Sequence, residues 1–261
     1  MTDPLNTFDV SALLDAAKAA ARQAGHKLSE IAREGRTRHE FDRIWNREIK
    51  AEADLIIESI LIEDLSSTGI PILSEESGEI SGDSESKLRF IVDPIDGTAN
   101  FIRGIGESSV SIALFKENEP LFGIMWLHPR GQLAWGGSGL GSFIDGVPIQ
   151  VSNQEQKNRA VLCTGIPARL DLRVESKKND FVGRILEFSK VRMLGAASIS
   201  LLQVAKGSAD CYAEEDVMIW DIAAGLAIVC GSGGVYELSG GTQEHSRDVL
   251  VHNGKLYPKD L

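Results

Sequence analysis

The chain reads as an α/β (α+β) protein built from two layered halves that share a cleft. Three observations lead there. Two long helical periodicities fill the first 65 residues, a strand-dense meander runs from 109 to 151, and strands alternate with helices from 160 onward. Residues 152–159, "SNQEQKNR", are polar throughout and separate the patterns, so the expected organisation is an N-terminal α+β half over 1–151 and a C-terminal α/β half over 152–261. At roughly 150 residues per domain, a length of 261 fits one large domain or two modest ones.

From Asp9 to Arg33 the apolar residues Leu13, Leu14, Ala17, Ala20, Ala21, Ala24, Leu28 and Ile31 recur at three and four, and Gly35 follows as a stop. Ile49, Ala53, Ile56, Ile57, Ile60 and Leu61 restart that spacing, which predicts a second helix from about Glu48 to Leu65. "GIPIL" (69–73) and "LRFIV" (88–92) read as short strands, and "SEESGEISGDSES" between them as an exposed loop. "SVSIALF", "PLFGIMWL", "QLAWGG" and "SFIDGVPIQV" are spaced like an antiparallel meander. Beyond residue 159 the order is strand "AVLCTG", a helix near 175–189, strand "VRMLG", helix "SISLLQVAKG", strand "ADCYAE", helix "IWDIAAGLAIVC" and strand "GGVYEL".

A hydrophobic share of 43 % beside 25 % charged residues, with no apolar run near the roughly 18 residues of a membrane span, indicates a soluble globular protein without a membrane partner. The N-terminus lacks a basic segment followed by an apolar one, so a cytoplasmic location is expected. Cys163, Cys211 and Cys230 are odd in number and widely spaced, which argues against a disulfide framework or a zinc site and for buried, reduced thiols. A net charge of −11 argues against nucleic-acid binding, while leaving open an anionic substrate held through bound divalent ions.

The chemistry concentrates in "IVDPIDGTANF" (91–101). Asp93 ends a strand-like run and Asp96 follows a Pro-Ile step, so both carboxylates can project from one strand-to-helix corner. Gly97 permits close backbone approach, and Thr98 stands where a helix N-cap would stand, ahead of amides that form an anion site. Acids beside an anion site are compatible if the acids hold Mg²⁺, which favours oxygen ligands and bridges to phosphate. Glu75 and Glu76 after "GIPIL", and Asp221 opening "WDIAAGLAIV", stand at comparable element ends. Two metals about 4 Å apart can clamp both oxygens of an in-line phosphoryl displacement, which predicts a phosphomonoesterase. Taken singly, Glu75 and Glu76 read as solvated charges, Asp221 as a favourable first-turn acid and Thr98 as a cap.

"SEESGE" (74–79), "DPIDGTANF" (93–101) and "WDIAAG" (220–225), in this order, resemble the signature segments of the inositol monophosphatase family of Mg²⁺-dependent, lithium-sensitive phosphatases. The likeness continues in "IKAEADLIIESIL" (49–61), "SSVSIALF" (108–115) and "LGAAS" (194–198). The resemblance implies a layered αβαβα sandwich of the inositol monophosphatase and fructose-1,6-bisphosphatase type. It also implies that Glu75, Asp93 and the Ile95 carbonyl hold a first Mg²⁺, that Asp93, Asp96 and Asp221 hold a second, and that a third, weaker ion depends on Glu75. Thr98 and Asp54 would orient or deprotonate a water, and the amides of Gly97 and Thr98 would receive the phosphate. Gly195, Ala196, Ala197 and Glu214 match the places where relatives grip the leaving group, and a homodimer is implied by the same analogy.

The sequence departs from that pattern at Lys50 and Ala51, where relatives commonly read Val-Thr, and at Ala99, where a threonine is usual. Arg43 falls near a basic position of relatives in an unlike loop and is assigned no role. "GGSGLG" (136–141) lies between two strands and reads as a hairpin turn rather than a nucleotide loop. The five histidines show no metal spacing, and Trp45, Trp126, Trp135 and Trp220 read as core or cleft-wall residues. The expected function is hydrolysis of a small phosphorylated metabolite, an ester of inositol, a sugar or a histidinol-like alcohol. The alternatives are an adenosine 3′,5′-bisphosphate nucleotidase, a fructose 1,6-bisphosphatase, and a catalytically weak interaction protein retaining the fold. Two residues separate the acids of "DPID", which excludes the Asp-x-Asp of haloacid-dehalogenase phosphatases.

Overall fold

The computed structural model describes residues 9–36, 43–82, 87–166 and 173–257, with the backbone alone at 35–36 and 43–51. The readings made of His39 and of the side chains of Arg43, Trp45, Lys50 and Ala51 lie outside the described residues. Helices α1 (Val10–Arg36) and α2 (Arg43–Ser66) precede strands β1 (Ile72–Ser74), β2 (Gly78–Ile80) and β3 (Leu88–Asp96). Then come the short helix α3 (Thr98–Arg103) and strands β4 (Ser108–Lys116), β5 (Glu119–His128), β6 (Gln132–Gly137), β7 (Gly141–Ile144) and β8 (Val147–Pro148). The second half holds β9 (Val161–Cys163), α4 (Glu175–Leu186), β10 (Lys190–Arg192), α5 (Ala197–Ala205), β11 (Cys211–Met218), α6 (Ile219–Gly231), β12 (Val235–Gly240) and β13 (Ser246–His252).

The elements form five layers. The Asp9 carboxylate caps α1 by accepting the Ser11 amide (2.9 Å). The helix then buries Leu13, Leu14, Ala17, Ala20, Ala21, Ala24 and Leu28, the stripe its periodicity predicts. With α2 it covers one face of an eight-stranded sheet of order β2-β1-β3-β4-β5-β6-β7-β8. Alternation along β4 divides its side chains: Val110, Ile112 and Leu114 pack toward α1 and α2, whereas Ala113 and Phe115 belong to the core on the opposite side. That second core is filled by α5 and α6 and closed by a five-stranded sheet of order β10-β9-β11-β13-β12. Ile185 of α4 joins the apolar cluster on the outer face of this sheet. The arrangement is the αβαβα sandwich that the family resemblance implies.

Helix α6 is apolar on all sides, as a helix between two sheets must be. It approaches β5 at Gly123, where an added Cβ would lie 2.1 Å from the Ala224 carbonyl oxygen.

Several boundaries differ from the sequence reading. The first strand lies at 72–74 rather than 69–73, and the acidic stretch after it contains β2, made a strand by antiparallel pairing with β1. Strand β13 is an addition; it pairs with both β11 and β12. Strand β3 does not end at Asp93 but continues to Asp96 through a bulge at Pro94, which has no N–H for the ladder. "GGSGLG" is the β6–β7 hairpin turn. Cys163 and Cys211 are buried, with thiols pushed by desolvation up to about 11 and about 12, which makes them inert. Among the described residues no helix is long and apolar enough to cross a membrane.

Candidate active site

The bulge in β3 is the first element of the site. Asp93 stands opposite Ser111 of β4 and Asp96 opposite Ser109, so three steps on one strand match two on the other. In a regular strand residues three apart face opposite ways; the additional residue returns both aspartates to one side. The turn is pinned by the Ile95 amide, which donates to Asp93 Oδ1 (2.9 Å). Thr98 is the first residue of α3 and not its cap. Gly97 occupies the capping position at φ 81° with no side-chain cap. The Thr98 hydroxyl instead turns back and donates to the Ile95 carbonyl (2.9 Å).

Two further segments deliver acids to this corner. Glu75 lies in the turn between β1 and β2, and Asp221 lies in the first turn of α6. Asp221 is favoured there by the helix dipole and takes a hydrogen bond from the Met218 backbone, as an acid three places past a cap can. One carboxylate oxygen from each of Glu75, Asp93 and Asp221 lie within 4.8 Å of one another. Glu76, adjacent in sequence, is exposed and stands outside this group.

Burial, and then the mutual charges of Glu75, Asp96 and Asp221, push the Asp93 carboxyl well above the usual carboxylate range. Asp221 is raised likewise, by burial and by Asp96, Glu75 and Glu214. Asp96 is pushed by burial up to about 6, against hydrogen bonds from Ser198 and Ala197 that favour its charged form. Asp93 Oδ2 is buried and accepts no hydrogen bond from an amide or hydroxyl among the described residues. Three oxygen donors crowded at unfavourable cost, one with an open buried lone pair, fit a hard divalent cation.

Gly195, Ala196 and Ala197 meet the same corner. A Cβ on Gly97 would lie 2.8 Å from that of Ala196, and Gly195, at φ 73°, rests against Asn100. Asn100 is a residue the sequence reading missed: its Nδ2 donates to the carbonyls of Leu194 (2.7 Å) and Glu107 (2.9 Å), tying α3 to the Gly-Ala segment. Glu214 of β11 accepts the Tyr212 hydroxyl (2.9 Å) and closes against Gly165, where a Cβ would lie 2.4 Å from its Oε2. Burial pushes Glu214 up to about 7. Asp54 is buried in α2, which packs against α3. The contacts of Asn100 with Leu194 and of Gly165 with Glu214 join distant stretches of chain and carry no local sequence signal.

Comparison with known proteins agrees with this geometry. In an alignment of 262 positions the chain is 31 % identical to an inositol-1-monophosphatase of Mesorhizobium japonicum, covering 96 % of this chain and 95 % of that one. It is 36 % identical over 186 residues to a fructose-1,6-bisphosphatase/inositol-1-monophosphatase of Aquifex aeolicus (71 % and 69 %). The crystal structure of the extragenic suppressor protein suhB from Bartonella henselae superposes with a TM-score of 0.78 at 30 % identity, covering 93 % of this chain and 94 % of that one. The profile of the inositol monophosphatase family matches residues 9–259. The chain therefore belongs to the inositol monophosphatase family and is a phosphoric monoester hydrolase.

Proposed function

We propose that this chain hydrolyses a small phosphate monoester of a polyol, such as an inositol monophosphate, a sugar phosphate or a histidinol-like phosphate, using Mg²⁺ and water. The observation that carries the reading is the convergence of Glu75, Asp93 and Asp221, since three clustered carboxylates would repel a phosphate dianion unless cations lie between them. In this proposal Glu75, Asp93 and the Ile95 carbonyl hold one ion, Asp93, Asp96 and Asp221 a second, and Glu75 contributes to a third. Bound there, Mg²⁺ supplies Lewis-acid activation of water and charge neutralisation at the departing ester oxygen.

The chain's own groups would do the rest. With its proton committed to the Ile95 carbonyl, the Thr98 oxygen is left as an acceptor and would orient the attacking water through one O–H. Asp54 would take the proton. The amides of Gly97 and Thr98 would donate to the phosphate oxygens. The Gly195, Ala196 and Ala197 backbone and the Glu214 carboxyl would bind leaving-group hydroxyls. A homodimer is proposed by the family analogy, to be checked by light scattering.

The test is phosphate release from inositol 1-phosphate, histidinol phosphate, fructose 1,6-bisphosphate and adenosine 3′,5′-bisphosphate, with Mg²⁺, with EDTA, and with Mg²⁺ plus lithium. Release from a monoester that EDTA abolishes supports the proposal. Preference for the sugar bisphosphate would favour the second reading, which the double name of the Aquifex relative raises. Silence of folded protein on the whole panel would favour a catalytically weak interaction protein.

A further inference from the structure

Glu58 lies one helical turn past Asp54 on α2 and is buried, 3 % exposed, although its neighbours in sequence give no reason to bury an acid. Its carboxylate grips the turn that carries Glu75 from both sides. Oε1 accepts the Ser74 hydroxyl and the Ser77 amide (2.9 Å), and Oε2 accepts the Ser77 hydroxyl (2.9 Å). A carboxylate offers only acceptors, and three donors face it, one before Glu75 in the chain and two after it. We propose that Glu58 is a positioning residue for cation binding: it makes the 74–77 turn one rigid unit with α2 and so sets where the Glu75 carboxylate stands relative to Asp93 and Asp221.

The placement also links two functions. Asp54 and Glu58 are four residues apart and share a face of the helix. The acid proposed to take the water's proton and the turn presenting Glu75 are therefore held by the same two turns of backbone. Ser74 is the last residue of β1, whose parallel partner β3 carries Asp93, so the grip also fixes the turn against the strand that bears the central aspartate. Partners hydrogen-bonded directly to a metal ligand change affinity by about 10- to 100-fold when removed, and Glu58, which acts one step further back through Ser74 and Ser77, is expected at the lower end of that range.

This inference rests on the cation-binding reading above, and the experiment separates the two. Mn²⁺ serves as the probe, its binding to substrate-free protein followed by the loss of the free-ion electron paramagnetic resonance signal. Wild type, Glu58→Gln, Glu58→Ala and Ser77→Ala are compared, with thermal melting in EDTA as the check on folding. Ser77 is exposed, so Ser77→Ala gives a folded variant even if Glu58→Ala does not.

The expected result is a weakening of Mn²⁺ binding by about 10-fold in Ser77→Ala and Glu58→Gln, and by more in Glu58→Ala. The Mg²⁺ concentration for half-maximal phosphatase activity should rise in the same order, with kcat at saturating Mg²⁺ within about threefold of wild type. Wild-type affinity in the folded variants would overturn the role of Glu58 alone. A wild-type protein that leaves the Mn²⁺ signal unchanged would overturn the cation reading and this inference together.

Discussion

Ser198 reaches Asp96 across 102 positions of sequence with two donors at once, its backbone amide at 2.8 Å and its hydroxyl. The same hydroxyl lies 2.7 Å from that of Ser109 on β4. Helix α5 of the second half is thereby fastened to the bulged end of β3 in the first.

Ser198→Ala removes one donor to Asp96 and leaves Ser109 with a lost partner in a dry setting. A stability loss of about 2 kcal/mol is expected, read by urea denaturation, together with weaker Mg²⁺ activation. A variant as stable as wild type would count against the fastening.

Asp93→Asn should separate the cost of the acidic cluster from its use. Phosphatase activity is expected to fall by about 10³-fold, equivalent to about 4 kcal/mol of lost transition-state stabilisation. In EDTA the variant should melt at a higher temperature than wild type, because the cost of burying this acid among its crowded neighbours is gone. Mg²⁺ should then stabilise it less than it stabilises wild type. An unchanged melting temperature in EDTA would contradict the crowding.

Asp96 and Glu214 have folded-state values of about 6 and about 7, above their ordinary 3.8 and 4.5. The stabilising contribution of each is complete below about pH 4 and is lost as pH rises through the folded value. In EDTA the protein should therefore lose stability between about pH 4 and about pH 7. Cation binding requires the deprotonated acids, so the gain in melting temperature on adding Mg²⁺ should widen over the same window. Calorimetry at both pH values, with and without Mg²⁺, checks both directions.

Thr98→Ala should lower kcat by about 10²- to 10³-fold with KM within a few-fold, since the hydroxyl is proposed to act on water and not on the alcohol. Thr98→Ser should recover most of the rate. A matching rise in KM would move the hydroxyl to substrate binding.

Gly123→Ala tests the packing of α6 on β5. A methyl group 2.1 Å from the Ala224 carbonyl forces helix and sheet apart, at a cost of about 3 kcal/mol. Because α6 carries Asp221, activity should fall more steeply with temperature than in wild type.

Much of this was legible beforehand, for identifiable reasons. The stripe on α1 and the alternation in β4 are local periodicities that burial enforces, and the three acidic segments stand at element ends where function concentrates. Strand β2 was not legible because three residues in an acidic stretch become a strand only by pairing with β1. Strand β13 was missed because "DVLV" between charges is too short to reveal its partners. Ser198, Asn100, Gly165 and Glu58 act through contacts that reach as far as 102 positions along the chain, and such partners have no local signature. The bulge lay hidden in a single residue, Pro94, whose missing N–H breaks the ladder.

The position of α6 between the sheets also has a consequence for biosynthesis. A chain leaving the ribosome from its N-terminus presents Glu75 and Asp93 long before Asp221 is made, and α6 can seat only when both of its covering sheets exist. The carboxylate trio is thus completed only once β12 and β13, which follow α6, have joined β11 and closed the second sheet over that helix. A nascent chain that stops short of Asp221 holds the strands of the first sheet but lacks one of the three clustered acids.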